Sequence, residues 1–189
     1  MICDQCHKEN RSIAKFCKWC GHPLVSLNVL DRMVGLDEVK QQLKTVVDTY
    51  TYLHSRRDVM NVRLSVNTII IGETGTGKTA LAEVIRDYFY QHKIIENPKL
   101  TMVDAVDYQR FVEKWDENVK NARGGILFFD NVQKLLPDRY SNQVNPLDKL
   151  FVEMDKWDEN PIVMIAGLPK GLDDFLASNP AAQNRFKYM

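Results

Sequence analysis

Gly72-Glu73-Thr74-Gly75-Thr76-Gly77-Lys78-Thr79 stands between an apolar run and a helical pattern. Its spacing is G-x-x-x-x-G-K-[ST], that of a loop built to hold phosphate. Gly72, Gly75 and Gly77 let the backbone curl into a concave nest whose N–H groups converge on anionic oxygens. Glu73, Thr74, Thr76 and Ala80 complete the candidate binding positions. Lys78 is the residue expected to reach the β- and γ-phosphates of a nucleotide, and the Thr79 hydroxyl the one to ligate Mg²⁺. A helix starting at the end of the loop turns its positive end on the same anion.

Both flanks supply the setting such a loop requires. Val66-Asn67-Thr68-Ile69-Ile70-Ile71 is β-branched and apolar, which predicts a buried strand. Beyond the loop, Ala80, Leu81, Val84, Ile85, Tyr88 and Phe89 recur at helical spacing. A flexible glycine turn would need neither neighbour. Further on, Gly125-Ile126-Leu127-Phe128-Phe129-Asp130-Asn131 is a second apolar run, and it ends in an acid. Downstream of a phosphate loop, that pattern makes Asp130 the candidate to hold Mg²⁺ beside Thr79.

The rest of the chain alternates in the same way. Met33-Val34-Gly35-Leu36 leads into a helix expected from about Asp37 to Arg57, with Val39, Leu43, Val46, Val47, Tyr50 and Leu53 on one face. Leu100 to Val103 predicts a short strand. One helix is expected to carry Tyr108, Phe111, Val112, Trp115, Val119 and Ala122. These read chiefly as core, with projection of Tyr108 or Phe111 into a central pore as the other option. Asn145-Pro146 reads as N-cap and first residue of a helix whose stripe is Leu147, Leu150, Phe151, Met154 and Trp157. Pro161 to Gly167 predicts another buried strand. Alternating strands and helices imply an α/β fold, a parallel sheet with helices on both faces in three layers.

The 189 residues are enough for one ordinary domain and a small one, and 44% hydrophobic content supports a buried core. Formal net charge is zero, so no global pull toward nucleic acid follows. No apolar run approaches the ~18 residues of a membrane span, and no signal-peptide pattern opens the chain. A cytoplasmic protein with no membrane partner is expected.

All four cysteines lie in the first 20 residues. Cys3-x-x-Cys6 and Cys17-x-x-Cys20 each put two thiolates on one tight turn, and two facing turns make a tetrahedral site suited to Zn²⁺. Gly21 follows the second turn, where a positive φ is expected. So short a segment needs the metal for most of its folding free energy. Lys8, Arg11, Lys15 and Lys18 surround the turns beside Phe16 and Trp19. That patch is compatible with nucleic acid, but a protein-docking surface is favoured. The expected organisation is a zinc ribbon over residues 1–24, a linker over 25–31 and a nucleotide-binding domain over 32–189.

Taken together, residues 32 to 189 resemble the AAA+ ATPases, and more narrowly the CbxX/CfqX (stage V sporulation protein K-like) group. Four stretches carry the resemblance: Val34-Gly35-Leu36-Asp37-Glu38-Val39-Lys40; the phosphate loop; Gly124-Gly125-Ile126-Leu127-Phe128-Phe129-Asp130; and Ala166-Gly167-Leu168-Pro169 with Phe175-Leu176-Ala177-Ser178-Asn179-Pro180 and Arg185-Phe186. The resemblance implies that Val34 and Gly35 pass the adenine ring. It also implies ATP, Mg²⁺ and a ring of subunits (a homo-hexamer, or related AAA+ subunits) that remodels a protein client. Arg185 would then serve a neighbour's ATP in trans.

The departures bear on hydrolysis. The family follows its aspartate with a glutamate that orients and deprotonates the attacking water, and here that position is Asn131. An amide holds a water but is not a base near neutral pH, a loss worth about 10²–10⁴-fold in rate. Leu168 stands where a polar residue or the family's tyrosine is expected, Gln183 replaces a second arginine, and the glycine–aromatic–glycine pore loop is not recognisable. The family's helical lid is expected to be absent from this sequence, which stops at Met189, either because it is a fragment or because the protein lacks a lid. Two functions follow as expectations: an ATPase that remodels a partner, and a slow or non-hydrolysing ATP-gated scaffold.

Overall fold

The computed structural model describes residues 3, 5–11, 16–21, 29–56, 65–104, 107–135, 146–154, 156–157, 161–178 and 185–188. Among them, β-branched and aromatic runs become the strands β1 (Thr68–Ile71), β2 (Leu100–Asp104), β3 (Ile126–Asp130), β4 (Ile162–Gly167) and β5 (Lys187–Tyr188). The sheet order is β2-β3-β4-β1-β5, with every neighbouring pair parallel. A parallel sheet covered on both faces needs continuous apolar strands, which is why β3 and β4 read as unbroken hydrophobic runs.

Residue parity sends the side chains of β1 to β4 into two separate cores. Ile69, Leu127, Phe129, Val163 and Ile165 pack with Phe111, Trp115, Val119, Leu150, Phe151, Leu172 and Leu176 on one face. That face is covered by α3 (Tyr108–Glu113), α4 (Trp115–Ala122), α5 (Pro146–Met154) and α6 (Pro169–Ser178). Ile70, Ile126, Phe128, Ile162 and Met164 pack with Leu43, Val47, Ala82, Ile85 and Phe89 on the other. The helices there are α1 (Asp37–His54) and α2 (Lys78–Gln91). The result is the three-layer α/β/α arrangement the alternation predicts.

Several boundaries differ from expectation for identifiable reasons. β1 begins at Thr68 rather than Val66, because the Asn67 side-chain Oδ1 accepts the Val163 N–H at 2.7 Å in place of a backbone carbonyl. The single helix expected after β2 is broken at Lys114, whose φ and ψ are −117° and 40°. There the Asn118 Nδ2 donates to the Phe111 carbonyl at 3.0 Å, and the Lys114 N–H reaches the same oxygen at 3.2 Å. A side chain that takes a mid-helix carbonyl ends the ladder. Tyr108 and Phe111 are both buried against Phe129, so they are core and not pore residues.

Of the expected 25–31 linker, residues 29–31 are described. Val29–Arg32 forms a 3₁₀ turn, with Val29 and Leu30 buried against the α2 face. Arg57, Asn145, Gln183 and most of the linker lie outside the described residues. Among the described residues, no helix is long and apolar enough to cross a membrane. Because the strands are parallel, the C-terminal ends of β1, β2, β3 and β4 share one edge, where ligands of open α/β sheets bind.

Candidate functional site

The phosphate loop leaves β1 at Gly72 and enters α2 at Lys78. Its entry is tied to the sheet by the Gly72 N–H, which donates to the Gly167 carbonyl at 3.2 Å. Gly75 and Gly77 have φ of +79° and +88°, in the left-handed region, and a Cβ on either would meet nothing within 4 Å. At those two positions it is the backbone conformation, not crowding by side chains, that requires glycine. The Thr76 hydroxyl donates to the Glu73 carbonyl at 2.8 Å and braces the turn. Lys78 Nζ donates to the carbonyls of Gly72 and Glu73, both at 2.9 Å, so the ammonium lies over the nest.

Beside it, the Thr79 hydroxyl donates to Asp130 Oδ2 at 3.2 Å. A hydroxyl and a carboxylate brought together from α2 and β3 are hard oxygen donors, the set that suits Mg²⁺. Asn131 leaves the strand with φ +57°, a conformation asparagine tolerates better than most residues. Its backbone N–H donates to Asp130 Oδ1 at 2.8 Å. Its side-chain Nδ2 donates to Oδ2 of Asp104 at 2.9 Å. Asp104 ends β2 and is the register partner of Asp130. Gln133 Oε1 accepts the Leu168 N–H at 3.3 Å, linking the turn after β3 to the end of β4.

Two other nucleotide candidates lie apart from this edge. Val34 and Gly35 occupy the turn before α1, with φ +73° at Gly35, +55° at Leu36 and a Val34 side chain that is 98% exposed. The Arg185 carbonyl accepts the Ser65 hydroxyl at 2.8 Å, just before β1 begins. From Ser65 to Gly72 the chain runs roughly 20 Å along the strand, further than an arginine side chain reaches. Arg185 thus sits at the opposite edge of the sheet from its own loop.

The four cysteines converge. All four Sγ atoms lie within 4.8 Å of one another. Cys3 and Cys20 approach to 3.6 Å, Cys6 and Cys17 to 3.5 Å. A tetrahedral Zn²⁺ with Zn–S of about 2.3 Å requires S···S edges of about 3.8 Å, so the cluster fits that ion. His7 and Gly21 each follow the second cysteine of a turn, with φ of +55° and +72°. Burial pushes the Cys17 thiol up, but the N–H groups of Trp19 and Cys20, the Asn10 amide and Cys6 outweigh it and bring the thiol to about 6. Asn10 is itself buried and donates to Cys17 Sγ at 3.4 Å while its Oδ1 accepts the Lys18 N–H at 3.0 Å.

Asp104 and Gln133 escaped the sequence reading. The signal for Asp104 was present: Leu100-Thr101-Met102-Val103-Asp104 is an apolar strand closed by an acid, as Ile126 to Asp130 is. Gln133 carries no local signal, because its role depends on where β4 ends.

Comparison with known proteins agrees with this geometry. Residues 68–186 match the model of the ATPase family associated with various cellular activities (AAA). The ESX-1 secretion system protein EccA1 of Mycolicibacterium smegmatis is 29% identical over 169 residues, covering 83% of this chain and 29% of that protein. Stage V sporulation protein K of Bacillus subtilis is 24% identical over 166 residues, covering 83% of this chain and 51% of that protein. The chain thus spans between about a quarter and about half of the relatives it matches. With the phosphate loop, the Thr79–Asp130 pair and strands β1 to β4 all within the matched residues, the chain belongs to the AAA family of nucleotide-binding ATPases.

Proposed function

We propose that this domain binds Mg·ATP between subunits of a ring in the cytoplasm and hydrolyses it to remodel a protein partner. The contact of Thr79 with Asp130 beside Lys78 carries the reading, because it gathers phosphate and metal donors at one sheet edge. Lys78 and the loop N–H groups hold the phosphates, and Thr79 and Asp130 hold Mg²⁺, which offsets charge on the β- and γ-phosphates. Arg185, remote from its own loop, serves the ATP of a neighbouring subunit. Val34, exposed on its turn, covers the adenine. Zn²⁺ on Cys3, Cys6, Cys17 and Cys20 folds the ribbon, which recruits the partner through exposed Phe16 and Trp19.

A second function, an ATP-gated scaffold that barely hydrolyses, is favoured by one observation: Asn131 has no ionisable group. Phosphate release from Mg·ATP at several protein concentrations separates the two. The first function gives release that rises faster than protein concentration and is lost in both Lys78→Ala and Arg185→Ala. The scaffold gives ATP-dependent oligomers with negligible release, restored by Asn131→Glu.

A further inference from the structure

The peptide unit that ends β4 is held from both sides. Its N–H, on Leu168, donates to Gln133 Oε1 at 3.3 Å. Its carbonyl, on Gly167, accepts the Gly72 N–H at 3.2 Å. Gly72 in turn offers its own carbonyl to Lys78 Nζ at 2.9 Å. A string of hydrogen bonds thus runs from the turn after β3, across β4 and into the phosphate loop, and it ends on the ammonium. A peptide whose N–H is bonded has a more polarised carbonyl, so the Gln133 contact strengthens the hold on Gly72. The string also stands where the sheet is weakest. β4 lies between β3 and β1. Its ladder with β1 continues to Ile71 and Gly167, but its ladder with β3 ends at Phe129 and Ile165. Beyond Ile165, the Gln133 side chain takes over from the missing neighbour.

The seat of Gln133 is shaped for it. The residue lies in the 3₁₀ turn Val132–Leu135. A Cβ on Gly167 would stand 2.7 Å from Gln133 Oε1, and a Cβ on Gly171 of α6 would stand 2.5 Å from Gln133 Cβ. Neither glycine has a positive φ. Space, chiefly for Gln133, is therefore what requires glycine at both positions. We propose that Gln133 is a positioning residue for nucleotide binding: it fixes the Gly167–Leu168 peptide, and through it the loop entry at Gly72 and the ammonium of Lys78, relative to Asp130 on β3. Phosphate donors on the loop and a metal donor on β3 must keep one separation to share a single Mg·ATP, and the two strands are not neighbours. If Gln133 only closed its own turn, its loss would lower stability. The ATP affinity of the folded protein and the exchange of the Gly72 amide would not change.

The inference rests on the ATP binding proposed above, and the test keeps the two apart. Equilibrium ATP affinity, and hydrogen exchange of the Gly72 and Leu168 amides by NMR, are measured for wild type, Gln133→Met and Gly167→Ala. Methionine fills the seat without the amide oxygen, and the alanine Cβ displaces that oxygen. Loss of one neutral hydrogen bond predicts ATP affinity about threefold to tenfold weaker in Gln133→Met, with faster exchange at both Leu168 and Gly72. Gly167→Ala should weaken ATP binding in the same direction. Wild-type ATP affinity in folded Gln133→Met overturns the proposal. So does faster exchange at Leu168 with none at Gly72, because the bonds then do not communicate. If Gln133→Met does not fold, wild-type ATP affinity in Gly167→Ala overturns it instead. A wild type that binds no ATP overturns the proposed function itself, while Gly72 exchange still reports on the string of bonds.

Discussion

The cysteine ribbon and the sheet domain solve the same problem with opposite means. In the sheet domain, strands β1 to β4 divide their side chains between two apolar layers, and Phe89, Phe128 and Phe129 are wholly buried. Among the described ribbon residues, Cys3, Cys17 and Asn10 are the buried ones, while Phe16 and Trp19 are 60% and 57% exposed. Sulfur occupies the ribbon's interior, so its aromatics face outward. Lys8 and Lys18 each place Nζ 4.7 Å from the Trp19 ring centre, a cation–π arrangement at the surface. A short segment whose interior is sulfur can thus leave its large apolar residues at the surface. A larger domain cannot, because burial is what holds it together.

Removing the metal should break this comparison most sharply. Structural zinc binding contributes about 10–16 kcal/mol in zinc-finger peptides near neutral pH. A strong chelator should therefore release about one zinc per chain and change Trp19 fluorescence, while the helical circular dichroism of the sheet domain persists. Concerted loss of both signals would show that the two regions are not independent. Next in size is Phe128→Ala, which empties a fully buried position in β3 and should cost about 3–5 kcal/mol in urea unfolding. A cost below about 1 kcal/mol would mean that the layer collapses around the gap. Smallest is Gly171→Ala in α6, where a Cβ would stand 2.5 Å from the Gln133 Cβ. Alanine's helix preference is worth about 0.5–1 kcal/mol and overpacking costs about 1–3 kcal/mol, so the sign should be destabilising. A more stable variant would show that Gln133 moves aside freely.

Much of this architecture was legible because it is local. The phosphate loop, its strand and its helix lie within one unbroken stretch, and the four cysteines repeat one short spacing. The alternation of strands and helices likewise announced a parallel sheet covered on both faces. The break at Lys114 is a local feature that helical periodicity hides, because it requires the Asn118 amide to take the Phe111 carbonyl. The other features that escaped depend on partners distant in sequence. The late start of β1 requires Asn67 to meet Val163 on another strand. Asp104 acquires meaning only when β2 and β3 pair in register and bring it to Asn131. Arg185 was nominated by resemblance alone, and its place at the far sheet edge depends on β5 joining β1.

The central claim is that the loop from Gly72 to Thr79 holds a nucleotide triphosphate through Lys78. Equilibrium binding of Mg·ATP, followed with a fluorescent analogue and competed by ATP, tests it directly on wild type and Lys78→Ala. Loss of one charge-assisted contact of about 1.5–3 kcal/mol predicts saturable binding by the wild type and affinity weakened by at least about tenfold in Lys78→Ala. Equal affinity in the two proteins, or no binding by a folded wild type, would contradict the account.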